Sequence, residues 1–297
     1  MEKFKEYLRC ARAHSYPAAI APVLVGATYS LFYIEKFDFF KFFIFLIACL
    51  LIQTSTNYFN EYYDFKLGLD KVDSQGISGS IVHGRLKPQE VFKAAVILYI
   101  VALILGLYLA SLTSYYILPV GLMCMLVGYL YTGGKSPIAY GPYGEVAAGF
   151  FMGTIIIALS FYVQTGFVNL SVILLSIPLF LMIGNILLAN SIRDAKNDEE
   201  SGRRTLAIVV GKKRSVEILT ISFLLVYLSS VALIFINNGT IFYLLVLVSI
   251  PLAIKVIKGL AVNKTKETMA PFMVLTAKMT IIIGFTMALA NILNYYI

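Results

Sequence analysis

Tryptophan is absent from this 297-residue chain, and only three cysteines and two histidines occur in it. Cys10, Cys49 and Cys124 have no CxxC or other metal spacing, which excludes a disulfide framework and a zinc site. As free thiols they read as small buried hydrophobes. Charge is scarce too: 13% of residues are charged, against roughly 25% in a soluble domain. A P-loop and a dinucleotide fingerprint are also missing. The glycines at 76, 79, 133, 134 and 202 read instead as tight turns in polar loops. No cleavable signal peptide is legible, because MEKFKEYLRCARAHSYP reads as a charged amphipathic segment.

Apolar residues fill the space that charge leaves, at 59% of the chain with a mean hydropathy of +0.83. Runs near the roughly 20 residues needed to span a bilayer recur along the whole length. Nine spans are expected, at about 17–34, 42–60, 91–111, 116–132, 143–163, 171–191, 215–236, 241–257 and 270–296. The class is an all-α polytopic membrane protein. The loops then alternate between two sets. Of 24 Lys and Arg, the set formed by 35–41, 112–115, 164–170 and 237–240 holds only Lys36 and Lys41, and Lys278 lies within the last span. The rest fall at the N-terminus, at 61–90, 133–142, 192–214 and 258–269, or at the adjoining helix ends. The positive-inside rule places that set in the cytoplasm and the C-terminus outside. The net charge of +8 is therefore a topology signal and implies no nucleic-acid partner.

Two stretches depart from this background. In Asn57–Asp73, NYFNEYYDFKLGLDKVD, the residues Asn57, Glu61 and Asp64 fall at i, i+4 and i+7 with Asn60 beside them, on one helical face. Acids at the end of a span cost several kcal/mol, in order of magnitude, unless a cation or partner compensates them. In 190–207, NSIRDAKNDEESGRRTLA, Asn190, Asp194 and Asp198 share a face. Asn60 and Asp64 match Asn190 and Asp194 at one offset of 130. Each motif closes a span and is followed by a GR or GK loop and a Glu, in GRLKPQEV (84–91) and GKKRSVEI (211–218). This internal repeat, about 1–140 and 141–268, suggests two four-helix halves plus a ninth helix, enclosing a central cavity.

Asp64 with Asp70, and Asp194 with Asp198, are expected to form two facing carboxylate clusters. Such oxygens suit Mg²⁺, which keeps waters and shares its shell with substrate phosphates. Arg193, Lys196, Arg203 and Arg204 can neutralise phosphate oxygens, arginine bidentately. A solvated stop-transfer loop is the competing reading, but it predicts no repeated Asn-xxx-Asp. An ion-conducting transporter would place acids near the bilayer midplane, whereas these gather at one face.

These motifs resemble those of the UbiA-type intramembrane aromatic prenyltransferases, whose aspartate-rich motifs read NDxxDxxxD and DxxxD. The chain has NEYYDFKLGLD at 60–70 and DAKND at 194–198. Glu61 replaces an Asp, and Gly68 stands where a third acid is usual, with Asp70 two residues on. That ending is similar to the branch acting on 1,4-dihydroxy-2-naphthoate. So are ARAHSYPAAIAPVLVGA (11–27), GISGSIVHGR (76–85), YLYTGGKSPIAYGPYGE (129–145) and RDAKNDEESGRRTLA (193–207). The resemblance covers residues 11 to about 215.

The resemblance implies a Mg²⁺-dependent transfer of a polyprenyl group from its diphosphate to an aromatic acceptor in the bilayer, with pyrophosphate and CO₂ leaving. It implies metal ligands among Asp64, Asp70, Asp194, Asp198 and Glu61, with Asp73 as the alternative to Asp70. Asn57, Asn60 and Asn190 fall in the substrate-binding motifs. Arg85 and Lys87 are candidates for the diphosphate, Tyr131 for the allylic cation or acceptor, and Lys135 for phosphate or the acceptor carboxylate. Arg12 is a candidate for that carboxylate or for lipid headgroups. His83 invites an acid–base reading and His14 a weaker one. Some of the 20 Tyr and 21 Phe are expected to line the path of a carbocation, while most pack or sit at interfaces. Another acceptor, such as 4-hydroxybenzoate, is the alternative within the family.

Overall fold

The computed structural model describes residues 2–70, 78–236 and 240–297, the side chain of His14 excepted. Asp73 and Gly76, both singled out above, lie outside the described residues, as does most of the 237–240 hairpin. The chain is helical throughout the described residues, with helices α1 Glu2–Ala11, α2 Pro17–Ile34, α3 Phe39–Lys66, α4 Pro88–Leu112, α5 Ile117–Leu130, α6 Gly144–Ala148, α7 Ile156–Thr165, α8 Leu170–Glu200, α9 Leu206–Ala232, α10 Ile250–Val262 and α11 Lys266–Tyr296. A π-helical turn, Gly149–Ile155, joins α6 to α7, and the 3₁₀ segment Ile241–Ser249 leads into α10.

Eight of these helical segments are long and apolar enough to cross a membrane, so the chain is a multi-pass membrane protein. The fourth expected span is the exception. It forms α5, of 14 residues, about 21 Å long at 1.5 Å per residue against a hydrocarbon layer of about 30 Å.

Several helices outrun their hydropathy. The spans expected to stop at 60 and 191 continue to Lys66 and Glu200. Apolarity ends at the first acids, but nothing there breaks a helix: Glu, Lys, Ala and Asn continue it at modest cost. The extra turns carry the acidic motifs. What does stop α3 is Gly68, at φ 71, in the left-handed conformation that favours glycine. The N–H groups of Leu69 and Asp70 then bond back to the Asp64 carbonyl at 2.9 and 3.3 Å. Asn169 caps α8 by accepting the Val172 N–H, and Thr265 with Thr268 forms a reciprocal cap on α11.

The chain divides into two compact units, one of Met1–Tyr16 with Phe43–Ile138 and one of Pro17–Phe42 with Ala139–Ile297. This partition differs from the sequence repeat, because α2 belongs to the second unit. The first unit packs Tyr58, Phe59, Ile81, Leu86, Val91 and Ala95 against Cys10 and Ala11 of α1. Phe59 sits edge-on to Phe92, Tyr99 and Tyr129 at 5.2–5.6 Å between ring centroids, a geometry that adds to simple area burial. Between α3 and α4, the Ser55 hydroxyl donates to the Ala95 carbonyl at 2.7 Å.

The second unit centres on Leu175, Leu179 and Met182 of α8, with Ile157, Phe161, Leu219, Phe223, Met279 and Ile283 around them. Apolar side chains gain little from leaving lipid, so close backbone approach and shared polar groups hold such helices together. At Gly26 of α2 an added Cβ would collide with the Ile157 carbonyl, which only glycine permits at this separation. Asn291 of α11 donates to the Val25 carbonyl and the Thr28 hydroxyl at 3.2 and 3.0 Å. It also accepts from Tyr243 at 2.6 Å, tying three elements through one buried amide.

Candidate active site

Each unit carries one acidic station at the C-terminal end of a long helix. In the first unit, Asn57, Asn60, Glu61 and Asp64 all lie within α3. Asn57 donates to the Ala11 carbonyl at 2.8 Å and to the Ser15 hydroxyl at 3.2 Å, so it anchors the turn after α1. The Asn60 Oδ1 is buried and has no hydrogen-bond partner. Asp64 is buried at the last turn of α3, and the Gly68 turn brings Asp70 back over it.

Glu61, expected among the metal ligands, follows Asn60 on α3. It is fully buried; its Oε1 accepts the Ser80 N–H at 3.0 Å, and Oε2 faces the Arg12 guanidinium at 3.7 Å. Oε1 is thus committed to the 78–86 loop, whereas the buried Oε2 makes no hydrogen bond and has only the longer Arg12 ion pair. Arg12 in turn adopts φ 51, unusual outside glycine.

The 78–86 loop is a tight turn, with Arg85 and Leu86 N–H bonded to the Ser80 carbonyl at 2.9 and 3.1 Å. Arg85 pairs with Glu6 of α1 at 3.4 Å. Burial pushes the Glu6 carboxyl up, but the Ser80 hydroxyl, Arg85 and Arg9 outweigh it and hold the group below the usual carboxylate range. His83 Nδ1 donates to the Gly79 carbonyl at 2.6 Å, which makes it a fastener of the turn. Lys87 is exposed at the start of α4, and Lys135 is exposed in the turn after α5. Tyr131 is half-buried at the end of α5.

In the second unit Asn190, Asp194 and Asp198 lie on one face of α8. The Asn190 Oδ1 repeats the Asn60 situation, buried and without a hydrogen-bond partner. Asp194 is gripped by Arg193 through both nitrogens of its fork, and by Lys266 of α11 at 3.1 Å. Asp198 pairs with Arg203 at 3.1 Å, and the Arg203 guanidinium lies 4.5 Å from the Tyr140 ring centroid. The Arg204 N–H donates to the Tyr140 carbonyl at 2.8 Å, while its side chain and that of Lys196 are exposed. Glu145 of α6, buried, accepts from Ser191 at 2.9 Å and so fixes α8 one residue after Asn190.

Sequence spacing did not reveal Glu6, Tyr140, Glu145 or Lys266. Tyr140 and Glu145 sit inside the YLYTGGKSPIAYGPYGE stretch, the one available signal. Lys266 is 72 residues from Asp194, and no motif points to it.

Among the described residues no three His, Cys, Asp or Glu side chains form a ready-made metal cage. The donor set still fits Mg²⁺. It consists of carboxylate oxygens and two orphaned buried amide oxygens, and Mg²⁺ is commonly held by one or two carboxylates plus substrate phosphate. Cations beside Asp194 and Asp198 suit a metal that arrives with a polyanion.

The sequence model of the UbiA prenyltransferase family matches residues 19–296. The 1,4-dihydroxy-2-naphthoate octaprenyltransferase of Bacillus subtilis (strain 168) is 39% identical over 285 residues, covering 96% of this chain and 91% of that protein. The UbiA prenyltransferase domain-containing protein 1 of Gallus gallus is 30% identical, covering 85% of this chain and 75% of that one. Among solved structures, a UbiA homolog from Archaeoglobus fulgidus bound to DMAPP and Mg²⁺ superposes with a TM-score of 0.67 at 14% identity, covering 95% of this chain and 99% of that chain. An apo UbiA homolog from Aeropyrum pernix K1 reaches 0.70 at 16% identity, covering 93% and 97%. At these identities the two structures establish a shared fold.

Proposed function

The chain belongs to the UbiA prenyltransferase family, and on that premise we propose that it transfers a polyprenyl group to 1,4-dihydroxy-2-naphthoate in menaquinone biosynthesis. The similarity to the Bacillus subtilis enzyme, nearly end to end in both chains, carries the choice of acceptor.

In this reading the C–O bond of the donor breaks, and its electron pair leaves with pyrophosphate. The acceptor carbon bearing the carboxylate forms the new C–C bond. The C–CO₂ bond then breaks and returns its pair to the ring, so no proton is removed from carbon. Asp64, Asp70, Asp194 and Asp198, with Asn60 and Asn190, would hold Mg²⁺. The bound ion would supply Lewis-acid stabilisation of the leaving diphosphate. Arg193, Lys196, Arg203 and Arg204, with Arg85, neutralise phosphate oxygens as negative charge builds on them. Tyr131 offers a π face to the allylic cation. Arg12 and Lys135 bind the acceptor carboxylate, and Glu61 and Asn57 hold Arg12 in place.

We read α5 as a ninth, short span, which completes two four-helix halves plus one. The motifs and N-terminus then lie in the cytoplasm and the C-terminus outside the plasma membrane, as the distribution of Lys and Arg supports.

The test is purified protein with Mg²⁺, a polyprenyl diphosphate and dihydroxynaphthoate. Prenylated product and released CO₂ are expected in equal amounts. Turnover of 4-hydroxybenzoate without turnover of dihydroxynaphthoate would overturn the acceptor.

A further inference from the structure

We propose that Lys266, which pairs with Asp194, is a diphosphate-binding residue; this rests on the reading of Asp194 as part of the metal–diphosphate site. Two observations carry it. The first is a surplus of positive charge on one carboxylate. Arg193 already takes Asp194 in a two-pronged pair, and Lys266 adds a second full charge at 3.1 Å. Arg193, Asp194 and Lys266 have side-chain exposures of 11, 21 and 20%. Among the described residues, two clustered, mostly buried cations share this one carboxylate, a local surplus of positive charge that a further anion would complete. One turn earlier on α8, the buried Asn190 Oδ1 lacks a partner.

The second observation is the position of Lys266 on its helix. It is the first residue of the 31-residue α11, whose backbone is fixed by the Thr265–Thr268 cap. The N-terminal end of a helix carries partial positive charge, which disfavours a cation and favours an anion. Lysine is thus misplaced for helix stability and well placed for a phosphate.

Asp194 cannot give the same lone pairs to a metal and to both cations. Arg193 neighbours it in sequence and binds through two nitrogens. Lys266 binds through one nitrogen on a flexible four-carbon stem, and is the cation free to move onto an arriving phosphate.

The proposal predicts effects of opposite sign. Removing the paired lysine exposes Asp194 to metal, so Lys266→Gln should bind Mg²⁺ alone more tightly, by up to about fivefold, the worth of a partly exposed ion pair. The same variant should bind inorganic pyrophosphate, at saturating Mg²⁺, roughly tenfold more weakly, having lost one charge-assisted contact. Lys266→Arg should restore most of the pyrophosphate affinity. Ligand-dependent shifts of thermal unfolding of the full-length protein in detergent read all of this, each against its own ligand-free baseline. A lysine with a purely structural role would weaken both affinities or neither, and either result overturns the proposal. Asp194→Asn serves as control. If the wild type responds to Mg²⁺–pyrophosphate and Asp194→Asn responds equally, the metal-site reading fails and this inference falls with it.

Discussion

Replacing Glu61 separates an anchoring role from a metal-binding one. Its carboxylate is completely buried, accepts the Ser80 N–H at 3.0 Å and faces Arg12 at 3.7 Å. Glu61→Gln keeps the shape and can keep the Ser80 contact. It converts a charge-assisted bond into a neutral one, at a cost of about 1 kcal/mol. It also strips Arg12 of its counter-charge. Breaking a fully buried pair costs about 3–5 kcal/mol, but the Arg12 side chain is 23% exposed and water offsets part of that. The expected total is about 2–3 kcal/mol. Glu61→Leu further orphans the Ser80 N–H, which adds about 1–3 kcal/mol. Unfolding in mixed micelles measures the stability change, and hydrogen exchange should show it concentrated in 78–86. If Glu61 is an anchor and holds no metal, Glu61→Gln should still respond to Mg²⁺–pyrophosphate in the thermal-shift measurement. A Glu61→Gln protein of unchanged stability that no longer responds to Mg²⁺ would refute the anchoring role and return Glu61 to the ligands.

Other perturbations test other layers. Asp64→Ala and Asp194→Ala should each abolish prenyl transfer while the protein remains folded in detergent; near-normal turnover of both would sink the metal-site assignment. Glu6 has a lowered carboxyl pKa, so its contribution is present above the unfolded-chain value and is lost as pH falls through the lowered folded value. Proteolytic release of α1 should therefore rise on acidification in the wild type and depend less on pH in Glu6→Gln. Gly26→Ala forces α2 off the Ile157 carbonyl and should cost about 1–3 kcal/mol, visible as a lower thermal midpoint with the Mg²⁺–pyrophosphate response retained.

Helix breaking and the identity of the helix stop were partly legible from residues. Gly68 looked from the sequence like a missing acid, whereas in the structure it ends α3 in a left-handed turn, and that turn returns Asp70 to Asp64. Glu61 shows a related limit of spacing. Spacing places it on the same face as Asp64, but spacing does not say which side chains from elsewhere meet that face. Here they are Arg12 and the Ser80 N–H. The extents of α3 and α8 were underestimated, since hydropathy records where lipid contact ends and helix propensity continues past it.

The sequence by itself determined the helical membrane class, the clustering of charge at one set of loops, and the paired Asn-xxx-Asp motifs, because these follow from periodicity and transfer free energy along a local stretch. Only the tertiary structure decided which charges neutralise which: Arg12 with Glu61, Arg85 with Glu6, Arg203 with Asp198, and Lys266 with Asp194. All but Arg203–Asp198, which is local, join residues far apart in the chain, and those arise from how helices pack, which no local pattern records. The acidic helix ends are thereby legible as candidate ligand sites from sequence, while the cations parked on them are visible only in the fold.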